Sequence, residues 1–213
     1  MPKAPFSTIS VSVCRCNADP GYLSHVPSLS REMFDSLEFD AAASGDHAAA
    51  AREMTRLAMT STQTAAMPRA EAFMRIGDEW LLADDPAEAA DWFRRALADG
   101  GPVSVDPRVG LARALYLLGR QSEAQELISG LKTAGPADPR TCDLAAELLA
   151  ENGDLAAALD WATAGVELCL ADGQEAERTG ENPELRLLLR LRYRIRNDLG
   201  LPEDDYDALL DEA

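Results

Sequence analysis

Phe73-x-x-Ile76-Gly77-x-x-Trp80, continued by Ala89-x-x-x-Phe93-x-x-Ala96-Leu97, decides the fold, because the same skeleton returns twice downstream. Leu111-Ala112-x-x-Leu115 leads to Gly119, Ala124 and Ile128, and Ala145-Ala146-x-x-Leu149 leads to Gly153, Ala158 and Ala162. The small residue that opens each copy stands at 77, 112 and 146, spacings of 35 and 34. Within each copy the apolar positions recur three and four residues apart, the period of a helix face. A break near the middle turns one helix into two. A unit of this length cannot bury its apolar face alone, so copies must stack. Gly77, Ala112 and Ala146 are small where the second helix crosses the first, with Ala89, Ala124 and Ala158 on the facing side. Trp92, Leu127 and Trp161 recur at the same intervals and are expected to fill equivalent seams between repeats.

On these residues the chain, from about Phe34 to Glu167, resembles the tetratricopeptide repeat family. The resemblance implies an all-α, right-handed α-solenoid of helix pairs whose usual work is holding another protein. The helix-pair likeness extends to bacterial tetratricopeptide proteins with an Arg-rich penultimate helix ending in Leu-Gly, some of which carry a cysteine-rich zinc motif of the SecA type. In the family the concave groove is lined by first-helix residues that point away from the pair. Carried onto this chain, that implies Glu71, Met74, Asp78 and Leu81, then Asp106, Val109, Arg113 and Tyr116, then Arg140, Asp143 and Glu147. Members that clamp a C-terminal carboxylate use Lys, Arg and Asn there; Met74, Asp78, Val109 and Asp143 occupy those places here, which does not support that activity. A mixed acidic and apolar groove should receive a basic or amphipathic protein segment, its apolar residues against Met74, Leu81 and Tyr116.

Composition agrees with close-packed helices. Hydrophobic residues make up 46% of the 213, much of it alanine and leucine, while aromatics at 6% are few. Thirty-seven acids against twenty bases give a net charge of −17, which disfavours nucleic acid and favours a basic partner. No apolar run is long enough to span a bilayer. The start is a poor signal sequence, and Cys142 and Cys169 on helical patterns read as buried packing residues, so the cytoplasm is the expected compartment.

Along the chain, residues 1–30 read as an irregular arm and 31–213 as the solenoid. Repeats are expected at about 31–60, 70–100, 106–134 and 139–170, with a closing helix pair at 182–213. Asp85-Pro86, Asp106-Pro107, Asp138-Pro139 and Asn182-Pro183 each place a capping acceptor before a proline that needs no N–H. Ser122-x-x-Gln125 reads as a capping box. A short acidic helix, Glu203 to Asp211, is expected to cover the last apolar face.

Catalytic patterns are weak. Ser129-Gly-Leu-Lys132 has the serine–lysine spacing of penicillin-binding enzymes without the partner motifs, so no enzyme is expected and no cofactor is implied. In the arm, Cys14-x-Cys16 followed by His25 resembles the front of the zinc motif, with His47 or an acid needed to complete four ligands. A metal-responsive adaptor is therefore the alternative to a peptide-holding module. Arg186, Arg190 and Arg194, with Arg192 and Arg196, read as an ion-pair face opposite Asp204, Asp205, Asp207, Asp211 and Glu212 rather than as an anion site.

If the register is right, Ala112→Leu or Ala124→Leu overpacks a helix crossing and destabilises by about 1–3 kcal/mol in denaturant melts, whereas Ala171→Leu, outside the skeleton, is mild. The reverse order would displace the register.

Overall fold

The computed structural model describes residues 28–62, 64, 66–135, 138–171 and 182–210. Among them run ten helices: α1 (Arg31–Ser44), α2 (His47–Thr60), α3 (Arg69–Leu82), α4 (Pro86–Asp99), α5 (Pro107–Leu117), α6 (Gln121–Ala134), α7 (Pro139–Glu151), α8 (Leu155–Ala171), α9 (Pro183–Asp198) and α10 (Asp205–Ala208). The two helices of each pair pack on each other, and α3 touches α5, α5 touches α7 and α7 touches α9. The result is an all-α solenoid whose first helices form a continuous inner row.

Local chemistry explains the helix starts. Asp85, Asp106, Asp138 and Asn182 each accept a backbone N–H of the first turn, and proline follows each at the first helical position. Ser30 caps α1 by accepting from Met33 N–H, and Asp46 caps α2 through Ala49 N–H. The Ser122 capping box does not form. The helix α6 begins at Gln121 behind Arg120, with no side-chain cap, and the Arg120 guanidinium instead grips Glu123 at 2.6 Å. The turn inside each of the first four pairs passes through a left-handed residue: Gly45, Asp84, Gly119 and Gly153, with φ of 79°, 58°, 73° and 83°. Asp84 is the one of these that carries a Cβ, and aspartate tolerates this region better than most residues.

The core is one run of buried side chains from Leu29 to Ile195. At its centre Phe93 of α4 is fully buried between two glycines on first helices. A Cβ built on Gly77 of α3 would lie 2.7 Å from Phe93 Cε1, and one on Gly110 of α5 only 2.6 Å from the same atom. Gly77 thus works as the skeleton requires, and Gly110 supplies a second notch from the next pair. Ala112, Ala124, Ala146 and Ala158 are fully buried, as the crossing argument expects.

The seams are not all equivalent. Trp92 and Trp161 are buried, Trp92 with its ring 5.4 Å from that of Phe73, but Leu127 is half-buried. The second helices α2, α4 and α8 pack broadly on the first helix of the next pair, whereas α6 packs chiefly on α5. A cleft of about 350 Å³ lined by Ile128, Leu149 and Trp161 separates α6 from the fourth pair, bridged by Lys132 Nζ to Asp160 at 2.7 Å.

The closing pair is shorter than expected. α10 covers Asp205–Ala208 rather than Glu203 to Asp211; Asp211 to Ala213 lie outside the described residues. A capping box holds it, with Asp207 Oδ2 accepting Asp204 N–H at 2.9 Å. The buried Arg192 guanidinium donates to Asp204 and Asp207, and Arg196 joins both carboxylates and the Pro202 carbonyl. These bonds hold the Asp204 carboxyl down at about 2, the hydrogen bond from Arg192 contributing most. The ion-pair reading therefore holds for Arg192 and Arg196. Arg186, Arg190 and Arg194 have no ion-pair partner among the described residues.

The glycine notches give a paired test. Gly→Ala inside a helix ordinarily gains about 1 kcal/mol of propensity. Gly130, with open space around it on α6, should show that gain on substitution by Ala. Gly110→Ala should instead lose about 1–3 kcal/mol, because a fully buried ring has nowhere to move. Equal behaviour of the two in chemical denaturation would rule out the wedge.

Candidate partner-binding groove

The inner row of first helices bounds two adjoining cavities. One, about 520 Å³, is lined from α1 by Arg31, Asp35 and Glu38, from α3 by Glu71, Met74, Arg75, Asp78 and Leu81, and beyond by Val109, Arg113 and Arg140. The other, about 560 Å³, is lined by Asp78, Leu81, Leu82, Arg113, Tyr116, Leu117, Leu148 and Glu151. Asp78, Leu81 and Arg113 belong to both, so the two form one groove along α3, α5 and α7.

Of the residues placed in the groove by sequence, Glu71, Met74, Asp78, Leu81, Val109, Arg113, Tyr116 and Arg140 line it. Asp106, which caps α5, lines neither cavity, and nor do Asp143 and Glu147. The latter two are half-buried on α7, with Asp143 close enough to Glu184 of α9 to feel its charge, and burial pushes the Asp143 carboxyl up. Sequence reasoning missed the contribution of α1. The degenerate first copy of the skeleton begins about 39 residues before the clear one, and carrying that offset back from Met74 lands on Asp35. That signal was present. The pairing that fixes α1 was not: Arg75 of α3 reaches back to Glu38 and Asp35, each at 2.5 Å, with its guanidinium 5.4 Å over the Phe34 ring.

Most groove charges are already engaged. Asp35 and Glu38 are held by Arg75, and Glu71 is buried with its carboxylate accepting Ser104 N–H at 2.8 Å and Ser104 Oγ–H at 2.9 Å. Arg113 pairs with Glu151 at 3.1 Å. Below the groove Glu79 is buried and shares a hydrogen bond of 2.9 Å with His47 Nδ1, tying α3 to α2; burial raises its carboxyl against the pull of His47. Asp78 alone among the acidic lining residues has neither an ion pair nor a hydrogen-bond partner within the described residues. It is exposed to groove water. The groove walls first, and then the Glu38, Glu71 and Glu79 carboxylates, push its carboxyl up toward about 7, while Arg113 and solvent access through the groove oppose the rise.

An apolar strip runs beside these charges. Leu81 and Tyr116 are half-buried, while Leu82 and Leu117 stand 62% and 61% exposed at the C-terminal ends of α3 and α5. Leucines this open on neighbouring repeats, at the mouth of one cavity, are the kind of exposed apolar surface that marks a contact site.

Other candidate chemistry does not converge. Lys132 is engaged by Asp160, and Ser129 is exposed with its carbonyl accepting from Thr133 Oγ. The zinc candidates Cys14, Cys16 and His25 lie outside the described residues, and His47 is bound to Glu79. Among the described residues no three His, Cys, Asp or Glu side chains come together as a metal set. Cys142 and Cys169 are buried, and burial lifts the Cys142 thiol to about 12, well away from thiolate reactivity.

No family model matches the sequence, and no curated protein matches it. The chain is similar to two solved structures from Podosopora anserina, the nearly identical TPR-like repeats of a protein assigned as a kinesin light chain and a single-substitution form of the same. Identity is 16% in both cases, over 85% of this chain and 91% and 92% of those chains, with TM-scores of 0.54 and 0.53. At that identity the likeness shows the fold: a solenoid of the tetratricopeptide type.

The raised Asp78 carboxyl predicts a pH-dependent stability. A carboxyl raised in the folded state binds its proton more tightly than in the unfolded chain, so folding stability falls as pH rises from about 4 through about 7. Melting temperatures at the two ends of that window should differ less in Asp78→Asn than in the parent protein, with the variant the more stable at high pH. A parent-like slope in the variant would place the titration elsewhere.

Proposed function

We propose that this chain is a protein-interaction module that holds an amphipathic segment of a partner protein in the groove along α3, α5 and α7. Solenoids of helix pairs commonly use their concave face in this way. The observation that carries the reading is the Asp78 carboxylate, without a partner among the described residues, placed between two cavities and beside the exposed Leu82 and Leu117. An apolar face laid over Leu81, Leu82, Tyr116 and Leu117 removes those side chains from water. A lysine or arginine on the same segment then meets Asp78, and the −17 of the whole chain steers a basic partner inward. Arg31 and Arg140, which line the first cavity, suit acids flanking that basic residue.

No helix among the described residues is long and apolar enough to cross a membrane. We place the module in the cytoplasm, where cysteines used as buried packing residues, like Cys142 and Cys169, remain reduced.

Selection from a random peptide library on immobilised protein tests the reading. Enriched peptides should carry one basic residue within an apolar helical face. Tyr116→Ala should weaken their binding about tenfold or more through faster release, the behaviour of an aromatic anchor. Asp78→Lys should slow association and blunt the response to salt, while Glu88→Lys, exposed on α4, changes neither. Peptides that bind equally well to the Tyr116 and Asp78 variants would remove the groove as the site.

A further inference from the structure

Among the described residues, the two ends of the solenoid carry opposite surfaces. At the C-terminal end, α9 packs Leu185, Leu188, Leu191 and Ile195 inward and commits Arg192 and Arg196 to α10. Its outward side keeps Arg186, Arg190 and Arg194 in a stripe at four-residue intervals, none ion-paired among the described residues. Beside the stripe Leu187 is 55% exposed and Tyr193 38%. Glu184 and Asp198 stand only at the helix ends. At the N-terminal end, α1 buries Phe34 and Ala41 and turns its opposite side to solvent. There Phe39, 75% exposed, is the most open large apolar side chain described, and Glu32 and Asp40 flank it without an ion-pair partner among the described residues.

Both helices are first helices of their pairs. Inside the chain, first helices meet in succession, α3 on α5, α5 on α7 and α7 on α9. The outward side of α9 is where a following first helix would pack, and the outward side of α1 is where a preceding one would. One is basic with Leu187 and Tyr193; the other is acidic with Phe39. In a chain of net charge −17, a concentrated basic face without ion pairs among the described residues is the exception.

We infer that copies of this chain associate end to end, the outward face of α9 on one copy seating the outward face of α1 on the next. Phe39 packs against Leu187 and Tyr193 while the arginine stripe meets Glu32 and Asp40. The two faces differ, so the contact is head-to-tail and extends by addition of copies unless its rotation closes a ring. The contact leaves the groove free, and the inference does not depend on what the groove holds.

Sedimentation of the full chain at about 0.15 M salt tests it, since screening beyond ~8 Å there removes the long-range repulsion between copies but not contact pairs. The parent protein should gain mass as its concentration rises. Arg186→Glu/Arg190→Glu/Arg194→Glu should lose that association roughly tenfold or more, and so should Glu32→Arg/Asp40→Arg. An equimolar mixture of these two variants should regain it, because the acidic end of the first meets the basic end of the second. Phe39→Ala, a milder change at a solvent-exposed position, should weaken association without touching charge, and far-ultraviolet circular dichroism shows that each variant folds. A parent protein that stays monomeric at every concentration overturns the inference. So does association indifferent to the arginine stripe or to Phe39, or a mixture that fails to recover it.

Discussion

Phe93 standing between Gly77 and Gly110 is the contact on which the rest of the molecule depends. A helix of one pair can approach the first helices of two pairs only if both give up a side chain where the ring enters. The two glycines do so, at a cost in helix propensity of about 1 kcal/mol each. The close approach buries the Phe93 ring fully and sets the registry between α3 and α5. That registry brings Asp78 of α3 beside Arg113 of α5 and so makes one groove out of two cavities.

The same economy of small residues governs the other crossings, and its failure is informative. Gly165 of α8 would place a Cβ 2.7 Å from Leu188 of α9 and 2.8 Å from Cys142 of α7, so the fourth pair and the closing pair are locked together as tightly as the second and third. Between α6 and the fourth pair no such notch exists: Gly130 on α6 faces open space and Leu127 is only half-buried. There the bridge is polar, Lys132 to Asp160, an exposed ion pair worth little in stability. The solenoid therefore has one loosely packed seam on its outer side while the inner row of first helices runs on through α5 and α7.

Charge in this chain is arranged locally rather than spread. Arg75 gathers Asp35 and Glu38, Arg192 and Arg196 gather Asp204 and Asp207, and Ser104 satisfies Glu71. What these pairings leave over is more telling than the net charge. Asp78 remains in the groove, the Arg186, Arg190 and Arg194 stripe at one end, and Glu32 with Asp40 at the other. Among the described residues, a chain of −17 thus presents an apolar strip with a single unengaged acid in its groove and opposed charges on α1 and α9.

The sequence by itself determined the long helices, the four Asp-Pro and Asn-Pro caps and the order of stacking. Those depend on period, on Asp-Pro starts and on small residues at 77, 112 and 146, all local signals that neighbouring residues carry together. It also determined that the inner residues Glu71, Met74, Asp78, Leu81, Arg113 and Tyr116 share a face, since a repeat transfers one helix's geometry to the next. The tertiary structure decided what no periodicity encodes. It engaged Asp35 and Glu38 with Arg75, moved Asp143 and Glu147 out of the groove lining, opened the α6 seam and chose Arg192 and Arg196 over their neighbours for the cap. Each of those outcomes turns on distances of a few ångströms between residues far apart in the chain. Charge pairing at that range is set by how helices are rotated against one another, and the pattern of apolar residues fixes that rotation only to within a side chain.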